Sequence, residues 1–229
     1  MKSPDAPLVK ICGIRDAATL LAMDGLPVDY IGFVFAESRR RVTPAQAAEL
    51  LAAARQTRMS GGLPPRAVGV FVDPTMETLA DTLGTVPLDA VQLHGKETPD
   101  FAREVRDRFG VEVWRALPVA EADEAGEDGC AGPSRLAAYR GAASAILLDT
   151  AGGGTGRTFR WDMIPAYRAQ AEALGLRLFV AGGLHPGNVG ELMEAYAPHG
   201  VDISSGVETD GTKDPAKIAA FTERVKRQP

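Results

Sequence analysis

At 229 residues, 45% of them hydrophobic and 24% charged, the chain has the size and composition of a globular protein of one large or two small domains. A net charge of −5 and a pI near 5.3 exclude the basic face that nucleic acid or a membrane surface would select, so no nucleic-acid or membrane partner is expected. Two cysteines, Cys12 and Cys130, are too few for a disulfide scaffold, and three histidines without CxxC or HxxxH spacing argue against a zinc site.

The first apolar run, LVKICGI at 8–14, ends on Cys12 and a glycine, which suggests that something approaches the backbone there. YIGFVF at 30–35 follows, then the dense basic cluster SRRRV at 38–42. PAQAAELLAAARQ has helical patterning, with Thr43 before Pro44 as cap and Gln46 completing a capping box. SGGLPP at 60–65 links that helix to the strand RAVGVFV. Asp73-Pro74 and Thr98-Pro99 read as further helix starts, flanking the strand AVQLHG at 90–95 and preceding the helix FAREVRDRFG. VEVWRAL then leads into EADEAGEDGCAGP at 121–133, whose acidic, glycine-containing composition is that of a solvated surface insertion with Cys130 as an incidental thiol. SAILLDT, the glycine-rich AGGGTG, RLFVAGG, the helix GNVGELMEAYA, VDISSG and a last helix start at Asp214-Pro215 complete the chain.

Eight near-continuous apolar strands alternating with helical segments predict an α/β protein. The expected fold is a single (β/α)8 TIM barrel with a parallel eight-stranded core, one domain over residues 1–229. A doubly wound sheet is the alternative. The MKSPDAPLVK start lacks the apolar core of a signal peptide, so a cytoplasmic protein is expected. The residues do not distinguish a monomer from a homodimer.

In a barrel the carboxyl ends of the strands meet at one mouth. Those ends carry Cys12, the SRRRV loop, Asp73, His94, Arg115, Asp149, the AGGL turn and SSGVE. Cys12 is either a small buried hydrophobe or, as thiolate, a nucleophile or proton-abstracting base. Asp149 either caps its loop or, desolvated under the glycine-rich run, acts as an acid. The paired turns after strands seven and eight point to a phosphate site. Lys10 shares a strand face with Cys12 and is either a Schiff-base lysine or, more simply, the partner of a barrel carboxylate.

In order along the chain, KICGI, GFVF with SRRRV, VGVFV, VQLHG, LLDTAGGGTGRTFRW, VAGGLHPGNV and VDISSGVETDGTKD resemble the phosphoribosylanthranilate isomerase family of tryptophan biosynthesis. The resemblance implies a barrel that performs an Amadori rearrangement of a small phosphosugar substrate without metal or cofactor. It implies Cys12 as general base, Asp149 as general acid and Arg40 as the residue holding the anthranilate carboxylate. Gly183, Ser204, Ser205 and Gly206 would hold the phosphate, and His94 and Asp202 would contact substrate. The sequence departs at Arg39, where proline is common in the family. The rival readings are the related aminoaldose isomerase of histidine biosynthesis, which uses an aspartate at the place of Cys12, a Lys10 Schiff-base enzyme, and a non-catalytic phosphosugar-binding protein.

Overall fold

The computed structural model describes residues 6–119, 132–150 and 160–227. Its eight parallel strands close into a barrel in chain order. They are β1 (Leu8–Cys12), β2 (Tyr30–Val34), β3 (Arg66–Phe71), β4 (Ala90–Leu93), β5 (Glu112–Val119), β6 (Ala145–Thr150), β7 (Arg177–Val180) and β8 (Gly200–Ile203). Closure is direct: β1 pairs with β8, setting Lys10 opposite Asp202, and with β2, setting Cys12 opposite Gly32. The helices are α1 (Ala17–Ala22), α2 (Pro44–Ala54), α3 (Met76–Thr85), α4 (Pro99–Phe109), α5 (Ile164–Ala173), α6 (Val189–Tyr196) and α7 (Pro215–Lys226). Between β5 and β6 the described residues form a 3-10 segment, Gly132–Tyr139, in place of the expected α-helix.

Two separate apolar layers follow from the alternation of side chains along each strand. Outward-facing residues such as Val9, Ile11, Ile31, Val91 and Ile146 pack under the helices. Inward-facing Tyr30, Val68, Trp114, Leu147 and Phe179 fill the barrel axis. The Trp114 and Phe179 rings lie 4.5 Å apart and Tyr30 meets Trp114 edge-on at 4.9 Å. Gly200 leaves room for this stack, since a Cβ there would fall 2.4 Å from the Phe179 ring. The aromatic plug fills the lower half of the barrel axis, so the barrel lumen opens above it, at the strands' carboxyl ends.

Local sequence signals set most helix starts. Thr43 accepts from the Gln46 N–H while Gln46 bonds back to the Thr43 N–H, and Thr98 and Asp214 cap α4 and α7 ahead of Pro99 and Pro215. Asp73-Pro74 departs from that pattern: the cap of α3 is Thr75, which accepts from Thr78 N–H. Asp73 is held instead at φ 45°, its carboxylate accepting from Lys96 N–H in the loop after β4. SGGLPP lies before β3, at the barrel end remote from the strand tips. The acidic run at 121–133 falls almost wholly outside the described residues, as does Cys130. Among the described residues no helix is long and apolar enough to cross a membrane.

Candidate active site

A cavity opens where β1, β2, β4, β6, β7 and β8 end, and Cys12, Arg40, His94, Asp149, Asp202 and Gly206 all line it. Every one of these residues was picked out from sequence, and barrel closure brings them to one place. The AGGL and SSGVE turns form one wall through Gly182, Gly183, Ser204 and Ser205. The glycine-rich segment after Thr150 lies outside the described residues.

Cys12 is 8% exposed and faces inward because it lies two residues from Lys10 on β1. Its space is made by Gly32, whose Cβ would come within 2.7 Å of the Cys12 sulfur. Gly13 has a comparable reason: at φ 79° it lies under the Arg40 side chain, and a Cβ would meet Arg40 Cδ at 2.5 Å. Glycine follows cysteine here because an arginine stem crosses the backbone on its way to the cavity.

Below the thiol, Lys10 Nζ donates to Asp202 Oδ1 at 3.0 Å, with both groups buried. Lys10 is therefore the partner of a barrel carboxylate. Burial works against the ammonium, but Asp202 and then Cys12 outweigh it, and Lys10 titrates above the ordinary lysine range. Burial pushes the Cys12 thiol up, while Lys10 and Lys213 pull it back without cancelling the desolvation.

Asp149, inward-facing at the end of β6, accepts the Thr150 N–H on Oδ1 at 2.8 Å and faces His94 Nε2 with Oδ2 at 3.3 Å. The turn after β7 packs close behind it, since a Cβ on Gly182 (φ 80°) would sit 2.8 Å from Asp149 Oδ1. That turn in turn touches the one after β8: a Cβ on Gly206 would lie only 1.8 Å from the Leu184 carbonyl oxygen. The two glycine turns are thus one built unit, and Gly206→Ala has to drive them apart. We expect this variant to raise KM at least about tenfold with a smaller change in kcat, measured in steady-state kinetics. A KM within twofold of wild type would separate the turns from substrate binding.

Arg40 is the arginine of the SRRRV cluster that lines the cavity. Its guanidinium donates to Glu208, Nε to Oε1 at 2.7 Å and Nη2 to Oε2 at 3.0 Å. Arg39 reaches the outer oxygen of the same carboxylate at 2.7 Å with most of its side chain exposed. Lys213 Nζ donates to Glu208 Oε1 at 3.1 Å and to the Ser204 carbonyl at 2.8 Å. Burial alone would raise the Glu208 pKa, but bonds from Arg40 and Lys213 hold it down at about 2. Ser204 also donates its hydroxyl to the Cys12 carbonyl at 3.1 Å, tying the ends of β8 and β1 together.

Glu208 and Lys213 were not among the residues singled out from sequence. Their signal was the Asp210-Gly211 pair, with φ 51° and 76°, which turns a two-stranded hairpin of β9 (Glu208–Thr209) and β10 (Thr212–Lys213). The hairpin register sets Lys213 opposite Glu208.

Arg115 is a correction. β5 runs on to Val119, so Arg115 lies in mid-strand and its guanidinium is buried outside the barrel lumen. It donates to Glu97 Oε2 at 2.6 Å, to the Leu93 and Gly95 carbonyls and to the Tyr139 hydroxyl. Glu97 also accepts the N–H groups of Asp73 and Gly95. This buried pair shapes the loop that carries His94 instead of meeting a ligand.

A closed barrel with a buried thiol, an inward carboxyl and two packed glycine turns at its mouth brings together groups able to move protons. Fold and site define an aldose–ketose isomerase of the (β/α)8 class. The comparisons are specific within that class. A family model described as N-(5'-phosphoribosyl)anthranilate (PRA) isomerase matches residues 9–224, and the chain belongs to that family. The N-(5'-phosphoribosyl)anthranilate isomerase of Brevibacillus brevis is 49% identical over 223 residues, covering 95% of this chain and 93% of the relative. A solved phosphoribosyl anthranilate isomerase in complex with reduced 1-(o-carboxyphenylamino)-1-deoxyribulose 5-phosphate is 32% identical with a TM-score of 0.74, covering 96% of this chain and 98% of that one. A second, from Thermotoga maritima, is 34% identical with a TM-score of 0.75 and covers 96% and 98% of the two chains.

Proposed function

We propose that Cys12 and Asp149 are the base and the acid with which this chain isomerises N-(5'-phosphoribosyl)anthranilate in tryptophan biosynthesis. The observation that carries the assignment is their arrival at one cavity from β1 and β6, beside an arginine and the paired glycine turns. Asp149 gives a proton to the sugar ring oxygen as the C1′–O bond breaks. The electron pair of that bond stays with oxygen, and the aniline nitrogen closes a C=N bond to C1′. Cys12, as thiolate, then removes the C2′ proton, and the resulting enolamine tautomerises to the aminoketone, 1-(2-carboxyphenylamino)-1-deoxyribulose 5-phosphate. The aniline nitrogen supplies the electrons that the ring opening needs, and the base and acid each handle one proton.

Arg40 holds the anthranilate carboxylate, and the turns containing Gly183, Ser204, Ser205 and Gly206 hold the phosphate. Glu208 fixes the Arg40 guanidinium from one edge, which supports an orientation with its remaining N–H groups toward the ligand. Lys213 links that carboxylate to Ser204, so one hairpin braces both anion sites. His94 and Asp202 complete the wall, Asp202 chiefly by neutralising Lys10. A lysine cannot reproduce the planar fork, so Arg40→Lys is expected to raise KM about tenfold or more while kcat falls less. Equal losses in both constants would place Arg40 elsewhere in the reaction.

The whole reaction needs one barrel and its small-molecule substrate in the cytoplasm, as a monomer or a homodimer. One solved relative, from Thermotoga maritima, is described as monomers generated from a dimeric isomerase. The direct test follows the fluorescence of phosphoribosylanthranilate generated in situ, with chelator present. Rapid loss with formation of the aminodeoxyribulose phosphate supports the reading. Folded protein that leaves intact substrate unchanged refutes it.

A further inference from the structure

The assignment of Asp149 as proton donor leaves a chemical problem, and the inference here rests on that assignment and deepens it. A lone carboxyl of ordinary acidity keeps its proton only below about pH 4, whereas the donor must be loaded near neutrality. Asp149 does not stand alone. Its Oδ2 faces His94 Nε2 at 3.3 Å, and on the far side of the imidazole Nδ1 lies 3.1 Å from the Gln92 amide nitrogen. Gln92 is 1% exposed, and its amide oxygen has no hydrogen-bond partner among the described residues. Either end of the amide can meet the ring: its nitrogen donates to a bare Nδ1, and its oxygen, with the amide turned end for end, accepts from Nδ1–H.

We propose that the proton donor is the His94–Asp149 pair, with Gln92 deciding which imidazole nitrogen carries hydrogen. With the Gln92 oxygen on Nδ1–H, Nε2 turns a lone pair toward Asp149, and one proton is shared between Nε2 and Oδ2. This is the loaded pair, holding two protons in all. When that shared proton leaves Oδ2 for the ring oxygen, the imidazole keeps its Nδ1–H under the Gln92 oxygen, and the pair is spent, holding one. His94 is thus a positioning residue that acts through Asp149.

The geometry around the pair supports a held imidazole. His94 follows β4 directly, and the loop it opens is pinned from behind by Glu97, Arg115 and Asp73. In the cavity the charged and titratable neighbours are Cys12, Arg40 and Asp202, with Lys10 below. Asp149 is the carboxylate in ion-pairing reach of the imidazole among the described residues.

Two measurements test the pairing. Only three histidines are present, His94, His185 and His199, so imidazole ¹⁵N spectra are readily assigned. The ¹⁵N shifts of His94 are expected to report hydrogen on Nδ1 in the wild-type protein and to change in Asp149→Asn, where an amide replaces the carboxyl facing Nε2. Identical ¹⁵N shifts in the two proteins overturn the pairing, a result that requires no activity to be seen. In steady-state kinetics, His94→Gln keeps an amide near the Nε2 position but holds no exchangeable acid. Its alkaline limb of kcat should move down by about one pH unit or more, with KM within about threefold of wild type. A raised KM with an unmoved limb makes His94 a substrate contact and defeats the proposal. An active Asp149→Asn enzyme removes the underlying acid itself, an outcome distinct from either.

Discussion

Cys12→Ser is expected to lower kcat by about 10²–10⁴-fold while leaving KM within about threefold, the signature of losing a proton-transfer group used only in the chemical step. Serine is the informative replacement. It is smaller than cysteine at the point where Gly32 leaves little room, so the barrel has no steric reason to shift. What changes is acidity: a serine hydroxyl does not ionise at any pH the protein tolerates. The wild-type thiol is held above its ordinary range by burial, with Lys10 and Lys213 only partly restoring the thiolate. The sign of the pH dependence follows. The reactive form is deprotonated, so wild-type kcat/KM should climb with pH through the neutral range until the donor begins to lose its proton. In Cys12→Ser that climb should be absent. A serine enzyme with more than about a tenth of wild-type kcat would leave the thiol without its assigned role.

Asp149→Asn should cost about 10²–10⁴-fold in kcat as well, for the opposite proton. The amide keeps the size of the carboxyl, and its oxygen can still accept the Thr150 N–H that Oδ1 accepts now. It cannot release a proton to the ring oxygen, so ring opening stalls before the thiolate has anything to deprotonate. The two variants are distinguishable by what accumulates. Without the acid the closed aminoaldose persists. Without the base the ring can open, and solvent-exchange experiments should show the C2′ hydrogen retained. Melting temperatures close to wild type would show that both losses are chemical. Two unfolded variants would instead point to structural roles.

Much of this architecture was legible in the chain itself. The eight apolar runs fixed strand identity because parallel barrel strands are covered on both faces, and the capping side chains before Pro44, Pro99 and Pro215 are local signals that operate without tertiary help. Alternation along β1 put Lys10 and Cys12 on one face. Each departure traces to a contact made elsewhere. Asp73 looked like a cap because it precedes a proline, but the loop after β4 takes its carboxylate and Thr75 caps α3. Arg115 looked like a strand end because β5 extends beyond its most apolar stretch.

By itself the sequence determined the order of the strands, the shared face of Lys10 and Cys12 on β1, and the groups at most strand tips, β5 with Arg115 excepted, because these depend on period-two alternation and on side chains adjacent in the chain. Only the tertiary structure decided how those groups are wired. The Arg40–Glu208 bond joins residues 168 positions apart, and Lys10 meets Asp202 across 192. His94 meets Asp149 from β4 and β6, strands that are not neighbours in the sheet. Such pairs arise only when eight strands close on themselves, because closure places the first strand beside the last and points non-adjacent strands across a shared axis.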